Sequence, residues 1–407
     1  MSVSTDPVVR PAPPVAALRF GILGTYPPTQ CGLASFSNSL LEALRSPRDQ
    51  VRVLSIVDEP AAQRHDDVAH EWVRLADGAV TAAATHLNSY DIAIIQHEYG
   101  IYPGRDGIDL LDLLPLLTVP TITVLHTVLV TPSDAQRLIL ETLVGHSRAV
   151  VTMTHTAKER LIAHYAVDAD KIRVIPHGAV DNRPALRAVP VADRALRPAT
   201  PERAPVVLTW GLLGEGKGIE WAIAAMAQLQ DLDPQPEYHI VGQTHPKVVE
   251  RFGERYRDRL VARADELGIA HTVHFDARYI GKAELNALVQ KADIVLLPYD
   301  SREQVTSGVL IEAVTAGKPV VSTGFPHARE LLSSGAGLLV DRQDPTGMAA
   351  ALRRVITEPG LAASMSAEAA RIAPELLWPA VADGYRRLAA DALASTDPVS
   401  ATLRVSA

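Results

Sequence analysis

The chain of 407 residues has one cysteine, Cys31, and few aromatic residues, which make up 5% of the sequence. A single cysteine excludes an intramolecular disulfide and a cysteine-based metal cluster. Basic residues are not in excess, because 39 Lys and Arg stand against 47 Asp and Glu, which gives a formal net charge of −8. The composition therefore offers no general attraction to nucleic acid or to an anionic membrane surface.

Long apolar runs of the kind that cross membranes are also missing. Residues 113–133 lack Asp, Glu, Lys and Arg, but they contain three prolines and His126, so a spanning helix is a poor interpretation. Residues 1–17 are rich in proline without an apolar core, which argues against a signal peptide and predicts a disordered tail. These observations predict a cytoplasmic protein and leave only peripheral membrane contact open.

Two series of strand-like runs alternate with helix-like runs. The runs are rich in β-branched residues without polar alternation, which is typical of strands buried on both faces. The first series comprises residues 18–24, 51–57, 91–96, 121–126, 149–153 and 172–176, and the second comprises 206–210, 238–242, 272–275, 293–298, 319–323 and 337–340. The clearest amphipathic segments between them are 33–44, 134–145 and 156–165. This alternation predicts an α/β fold with two parallel, doubly wound sheets.

We expect two domains of similar size. Residues 18–182 form the first domain and residues 205–375 the second, with a linker rich in Pro and Arg at 183–204. A last helix-like stretch over 376–393, broken by Pro379, is assigned to the first domain. Ligands bind outside the carboxyl ends of parallel strands, so two such edges facing each other predict a deep interdomain cleft.

Candidate ligand-binding residues follow three strands of the first series. Gly24 and Gly32 flank a Pro-Pro loop, and a helix start after Gly32 can offer amides to anionic or sugar oxygens. The same glycines can equally serve the turn alone. His97 and His126 each lie at the end of an apolar strand. A lone histidine is more often structural, but two at the same sheet edge favour a functional role.

A glycine-rich turn opens the second series. Gly211, Gly216 and Lys217 match a phosphate-loop pattern, but Gly218 stands where a Walker motif needs Ser or Thr for magnesium. An ATPase is therefore a poor interpretation, while a phosphate or diphosphate site is favoured over an unpaired surface lysine. We expect Lys217 to be exposed at the start of a helix.

A second helix start follows the strand-like run 293–298. Thr306, Ser307 and Gly308 are expected to begin a helix whose amides point into the same cleft. Glu312 lies one turn inside that helix and has apolar neighbours on both sides, which predicts a buried carboxylate with a partner, such as a ribose diol.

Taken in order and at these spacings, the motifs resemble the retaining glycosyltransferases of family four, also described as glycosyl transferases group 1. The resemblance runs from residue 18 to about residue 393. It rests on the glycine loop before Gly32, on His126, on IPHG (175–178), on the run 211–218, on the segment ending at Glu312 and on AGKPVVST (316–323). It implies the GT-B fold, in which two Rossmann-like domains face each other across a cleft.

The resemblance also implies catalytic roles. His126 would contact the transferred sugar, Lys217 would neutralise the donor diphosphate, and Glu312 would hold the donor ribose. The partners would be a nucleotide-diphosphate sugar and a carbohydrate or other hydroxyl acceptor. No metal ion and no cofactor would be needed.

Further donor or substrate contacts are implied at positions around the cleft. Gly32 would lie near the diphosphate and sugar, and the backbone near Arg278 and Tyr279 would hold the base. The amides of Ser307 and Gly308 would bind phosphate oxygens. The remaining expected binding residues are His97, Gly216, Gln304 and Thr306.

The sequence departs from the family pattern at two positions near the donor. The family has Glu where this chain has Gln304, and Arg where it has Gly214. Three alternatives therefore stay open: a sugar-nucleotide epimerase, a phosphorylase on the same fold, or a non-catalytic protein that binds nucleotides or carbohydrates. The nucleotide base, the sugar, the acceptor and the oligomeric state are not readable from the sequence.

Overall fold

The computed structural model describes residues 17–183 and 203–394. The predicted tail, except residue 17, and most of the predicted linker lie outside the described residues. The strands are β1 (Arg19–Gly24), β2 (Gln50–Val57), β3 (Val68–Val73), β4 (Ile92–His97), β5 (Thr121–Leu125), β6 (Ala149–Thr152), β7 (Ile172–Val174), β8 (Val206–Trp210), β9 (Glu237–Val241), β10 (Val273–Asp276), β11 (Ile294–Leu297), β12 (Val320–Thr323) and β13 (Gly337–Val340).

The strands form two separate parallel sheets. The first has seven strands in the order β3-β2-β1-β4-β5-β6-β7, and the second has six in the order β10-β9-β8-β11-β12-β13. Each order reverses direction beside its first strand, which is the doubly wound arrangement that places a ligand crevice at the carboxyl ends of the strands. The predicted α/β class with two parallel sheets is confirmed.

Helices cover both faces of each sheet. In the described residues they are α1 (Gly32–Leu44), α2 (Ala79–Leu87), α3 (Asp134–His146), α4 (His155–His164), α5 (Ile219–Met226), α6 (Pro246–Phe252), α7 (Arg255–Glu266), α8 (Lys282–Lys291), α9 (Gly308–Thr315), α10 (Pro326–Leu332), α11 (Pro345–Thr357), α12 (Leu361–Ile372) and α13 (Trp378–Ala394). Short 3₁₀ segments, Arg105–Asp112 and Leu114–Leu116, occupy the stretch before β5.

The last helix of the described chain packs on the first sheet. Trp378, Val381 and Tyr385 of α13 belong to the same buried cluster as Phe20 of β1 and Phe36 of α1. The stretch expected over 376–393 is interrupted just before Pro379, because a 3₁₀ segment ends at Leu376, Leu377 is extended, and α13 begins at Trp378 with this proline in its first turn. An amide there has no partner within the helix, so proline costs nothing at that position.

Polar contacts join the two halves on one side of the cleft. Both carboxylate oxygens of Glu330 accept hydrogen bonds from the first turn of α4, at 2.8 Å from the amides of His155 and Thr156. A carboxylate at a helix N-terminus is favourably placed. Arg160 of the same helix pairs with Glu303 at 2.9 Å. In the part of the chain that the structure describes, no helix is both long and apolar enough to cross a bilayer.

Candidate active site

A cavity of about 650 Å³ lies between the carboxyl edges of the two sheets. Both halves of the chain contribute to its wall, as the predicted interdomain cleft requires. Of the residues expected from the sequence, those that line it are Gly32, His126, Tyr279, Gln304, Thr306, Gly308 and Glu312. Those that do not are His97, Gly216, Lys217, Arg278 and Ser307.

Gly32 begins α1 at the edge of the cavity. Cys31 caps the helix, because its sulfur accepts from the amide of Ala34 at 3.4 Å. A Cβ placed on Gly32 would meet no atom within 4 Å, so the space beside this helix start is open. The first turn of α1 can therefore be approached closely by an anionic or sugar group.

His126 directly follows β5 and is held from two sides. Its Nε2 lies 2.7 Å from Oε1 of Gln96, and the ring stands edge-on to Phe36 at a centroid distance of 4.9 Å. Burial, with smaller contributions from His177 and His97, lowers the pKa of His126 to about 3. The imidazole is therefore neutral at pH 7 and is fixed in one orientation.

His97 does not reach the cavity surface. It is 1% exposed, and its Nδ1 has no hydrogen-bond partner among the described residues. Burial lowers its pKa to about 3. Direct contact of His97 with substrate, as the sequence led us to expect, is therefore wrong: the ring lies beneath the surface, edge-on to Tyr99 at a centroid distance of 4.9 Å.

The start of α9 forms the opposite wall. The side chain of Ser307 caps the helix by accepting from the amide of Leu310 at 3.3 Å. The amide of Ser307 donates to Nδ1 of His327 at 2.8 Å. The expected role of the Ser307 amide in phosphate binding is therefore wrong in this structure, and the amides of Gly308 and Val309 are the donors that remain at this helix start.

Glu312 is a carboxylate at the bottom of this wall. Its Oε2 accepts a hydrogen bond from Nε1 of Trp210 at 3.1 Å. Burial is the main cause of the raised pKa of Glu312, against which the bond from Trp210 acts. The glutamate is half-buried rather than fully buried as expected, and its partner in the structure is Trp210, which leaves the second oxygen for a ligand hydroxyl.

Lys217 is half-buried, so the expectation of an exposed lysine is wrong. Its ammonium lies 4.5 Å from the ring centroid of Tyr299, and burial lowers the pKa of the amine. Within residues 17–183 and 203–394, no carboxylate pairs with it. An ammonium that lies over an aromatic ring and has no carboxylate partner can bind an anionic group of a ligand.

The glycine turn around Lys217 is shaped by Gly218. This residue has a φ of +66°, and a Cβ there would lie 1.8 Å from the carbonyl oxygen of Pro298. Only glycine allows the backbone of the turn to come this close to Pro298, and the turn therefore packs against the residues that follow β11. Gly216 is exposed, and its carbonyl accepts from the amide of Asp300 at 2.9 Å.

The remaining expected residues divide into two groups. Gln304 lines the cavity and donates from Nε2 to the carbonyl of Thr306 at 3.0 Å, while Oγ1 of Thr306 is buried without a hydrogen-bond partner in the described chain. Tyr279 lines the cavity and is 49% exposed. The Arg278 guanidinium instead pairs with carboxylates outside the cavity, Asp276 at 2.6 Å and Glu284 at 2.8 Å.

Comparison with known proteins agrees with this arrangement. The family model described as Glycosyltransferase Family 4 matches residues 32–183, and the model described as Glycosyl transferases group 1 matches residues 195–372. The chain belongs to the group 1 glycosyltransferases. The two matches correspond to the two sheets whose edges form the cavity.

Curated relatives of this glycosyltransferase include two D-inositol 3-phosphate glycosyltransferases. The one from Corynebacterium diphtheriae is 27% identical over 84% of this chain and 80% of that protein. The one from Corynebacterium jeikeium is 31% identical over 63% of this chain, a match that spans 60% of the relative's own length.

Solved structures share the fold of the glycosyltransferase. Anabaena HepE in complex with UDP superposes with a TM-score of 0.70 at 19% identity, covering 91% of this chain and 99% of that one. Sucrose-phosphate synthase from Thermosynechococcus elongatus gives a TM-score of 0.72 at 18% identity, covering 93% and 100%. The GT-B fold is thereby confirmed. None of these similarities supports an epimerase, a phosphorylase or a non-catalytic binding protein.

Several residues that line the cavity of the glycosyltransferase were not expected from the sequence, among them His177, Glu98, Lys282 and Trp378. His177 lies within the IPHG motif, which was noted without a role, and stands edge-on to Phe36 at 5.0 Å. Glu98 follows His97 directly, so its position after a strand was a readable signal. Lys282 and Trp378 come from the starts of α8 and α13, where no sequence pattern marked them.

Proposed function

We propose that this glycosyltransferase moves a sugar from a nucleoside-diphosphate sugar to an acceptor hydroxyl with retention at the anomeric carbon and without a metal ion. The observation that carries the proposal is Lys217, a half-buried ammonium with no anionic partner among the described residues. Departure of a diphosphate requires stabilisation of negative charge rather than a strong base.

The donor would bind mainly to the second half of the chain. Glu312 would accept from a ribose hydroxyl, and the diphosphate would lie between the Gly308 end of α9 and Lys217. Tyr299 connects these groups, because Lys217 lies over its ring and Glu312 contributes to the raised pKa of its hydroxyl. A lysine and free amides together supply the charge neutralisation that a divalent ion would otherwise provide.

Retention requires the acceptor to attack on the face from which the diphosphate leaves. The cavity suits this geometry, because donor groups come from one sheet edge and His126 from the other. A neutral, fixed imidazole can hydrogen-bond a sugar hydroxyl near the reacting carbon. It orients the sugar without repelling the positive charge that develops there.

A donor screen tests the proposal. UDP is the first nucleotide to try, since Anabaena HepE has been solved with UDP and with UDP-glucose. We expect release of one nucleoside diphosphate from one class of sugar donor in the presence of EDTA, and NMR of the product should show the anomeric configuration of the donor. Inversion, or activity that EDTA abolishes, would contradict the proposal.

Lys217→Ala should weaken binding of the donor and of the free nucleoside diphosphate together, by about 10- to 100-fold. A charge-assisted hydrogen bond is worth about 1.5–3 kcal/mol, which corresponds to this range. Isothermal titration with UDP, GDP and ADP measures the effect.

Lys291→Ala, which removes an exposed lysine at the end of α8, is the matched control and should leave nucleotide affinity unchanged. If Lys217→Ala behaves like this control, the diphosphate has been placed wrongly.

The acceptor side of the cavity has an acidic character. Glu98 and Thr127 line it and are hydrogen-bonded to each other, and burial raises the pKa of Glu98. The one Lys or Arg side chain in the described lining is Lys282, which already contacts Ser39 at 3.0 Å and Glu42 at 3.6 Å. A phosphate group on the acceptor would therefore meet a carboxylate rather than a free cation.

We infer from this charge distribution that the acceptor carries no phosphate group, although the curated relatives are named for D-inositol 3-phosphate. We expect wild-type enzyme to favour a neutral or amino-bearing polyol over its phosphorylated form. Glu98→Gln should reduce that preference by about tenfold, because the like-charge penalty is lost. The ratio of kcat/KM for inositol and inositol 3-phosphate measures it.

Nucleotide affinity provides the control for this acceptor prediction. Glu98→Gln should leave UDP binding unchanged, since Glu98 follows a strand of the first sheet, whereas Lys217 and Glu312 belong to the second half of the chain. Faster transfer to inositol 3-phosphate than to inositol by the wild-type enzyme would refute the acceptor assignment while leaving the donor site intact.

A further inference from the structure

A cluster of three potential metal ligands lies on the second sheet, outside the sugar-transfer cavity. Tyr238 and Ile240 of β9 point into the core, so the alternation of the strand directs Glu237 and His239 to the other face. In the parallel pairing of β9 with the edge strand β10, His274 is the register partner of His239. The fold itself therefore brings the two imidazoles and the carboxylate together.

The spacing of the three side chains matches that around a tetrahedral ion. Nε2 of His239 lies 3.1 Å from Oε2 of Glu237, and Nε2 of His274 lies 3.6 Å from the same oxygen. All the ligand atoms fall within 4.8 Å of one another. Zinc bonds of about 2.0–2.1 Å at tetrahedral angles place neighbouring ligand atoms roughly 3.4 Å apart, so only small side-chain movements are needed.

We propose that Glu237, His239 and His274 bind a divalent ion of the zinc class. Two imidazole nitrogens and one carboxylate form a ligand set that favours zinc and its transition-metal neighbours over magnesium or calcium, which prefer oxygen ligands. The three side chains are half-buried or exposed, so an ion can enter from solvent and keep water in the fourth position.

The consequence for the protein is a link between an edge strand and its neighbour. Among the strands of the described chain β10 pairs only with β9, and the chain leads from its end at Asp276 through Arg278 to Tyr279, which lines the cavity. A bound ion would fasten β10 to β9 at the start of this path. None of the three ligands lines the cavity, so the ion would have no part in sugar transfer.

The experiment uses the full chain without a histidine tag, freed of metal with EDTA and then dialysed. Titration calorimetry with zinc chloride should give one equivalent bound, and the melting temperature should rise with zinc but not with magnesium at the same concentration. The double variant His239→Ala/His274→Ala should bind zinc at least about tenfold more weakly, since changes even in the groups behind the ligands cost that much. It should also lose the zinc-dependent rise in melting temperature.

His271→Ala provides the matched control, because it removes an exposed imidazole three residues before His274 and should leave zinc binding intact. Circular dichroism without metal establishes that the double variant is folded, as expected for side chains on the surface. Absence of stoichiometric zinc binding in the wild type would overturn the proposal. Equal zinc affinity of the wild type and the folded double variant would overturn it as well.

Discussion

Replacement of His126 by alanine should lower kcat by at least about 100-fold, the low end of what one positioned group contributes to a reaction. The affinity for the free nucleoside diphosphate should remain within about twofold, because the expected diphosphate and ribose contacts, Lys217 and Glu312, belong to the second half of the chain and His126 to the first. Steady-state kinetics with saturating donor and titration with UDP separate the two effects.

Two further variants distinguish a loss of catalysis in His126→Ala from a loss of folding. His126→Ala also leaves Oε1 of Gln96 buried without its 2.7 Å partner, which destabilises the protein. His126→Asn retains a polar group beside Gln96, so this variant should be more stable than His126→Ala. Its kcat should remain low, since the asparagine side chain cannot occupy the position of the imidazole ring. His86→Ala, which removes a ring stacked on His70 at 4.3 Å outside the cavity, should have normal kcat. A His126→Ala enzyme with normal kcat would remove this residue from the mechanism.

The fold was largely predictable because buried parallel strands leave a strong signature. All twelve predicted strands are present, and the helix expected over 33–44 is observed at Gly32–Leu44. The strand that escaped prediction is β3, Val68–Val73, at the edge of the first sheet. Its sequence carries His70 and Glu71 in the middle, and an edge strand that is only partly buried does not need a continuous apolar run.

The site was predictable only as far as strand ends and helix starts determine it. Gly32, His126 and Glu312 line the cavity because each lies just after a strand or near a helix start at a carboxyl edge. Partnerships made over long sequence separations were not readable. Three features depend on how distant segments pack. They are the hydrogen bond from the Ser307 amide to His327, the contact of the Lys217 ammonium with the Tyr299 ring, and the burial of His97 beneath the surface.

Acidification should unfold this protein well before its carboxylates are fully protonated. Four imidazoles, the buried His97 and His327 and the half-buried His126 and His177, have a pKa far below the ordinary value of 6.5. The pKa is about 3 for His97 and His126 and about 4 for His177 and His327, with desolvation as the main cause in each. We expect loss of near-ultraviolet circular dichroism between about pH 4 and pH 5. Retention of a fully native signal at pH 4 would contradict it.

The direction in which the free energy of unfolding changes with pH follows from the numbers of protons that the native and unfolded chains bind. Between a native pKa of 3 to 4 and an unfolded pKa of 6.5, the unfolded chain binds more protons than the native chain. The stabilisation from these neutral imidazoles is therefore complete above about pH 6.5 and is lost as the pH falls. At pH 5 a fully buried histidine such as His97 has lost about 2 kcal/mol of this stabilisation, which is a large share of the roughly 5–15 kcal/mol that keeps an average domain folded.

His97 offers the sharpest test of this account, because its Nδ1 bonds to none of the residues that the structure describes and its ring does not line the cavity. His97→Leu replaces it with a side chain that stays neutral at every pH. The difference in unfolding free energy between pH 7 and pH 5 should shrink by about 2 kcal/mol in this variant, whatever its stability at pH 7. Urea titrations at the two pH values measure the variant and the wild type, and equal pH dependence in the two would show that His97 is not held neutral by burial.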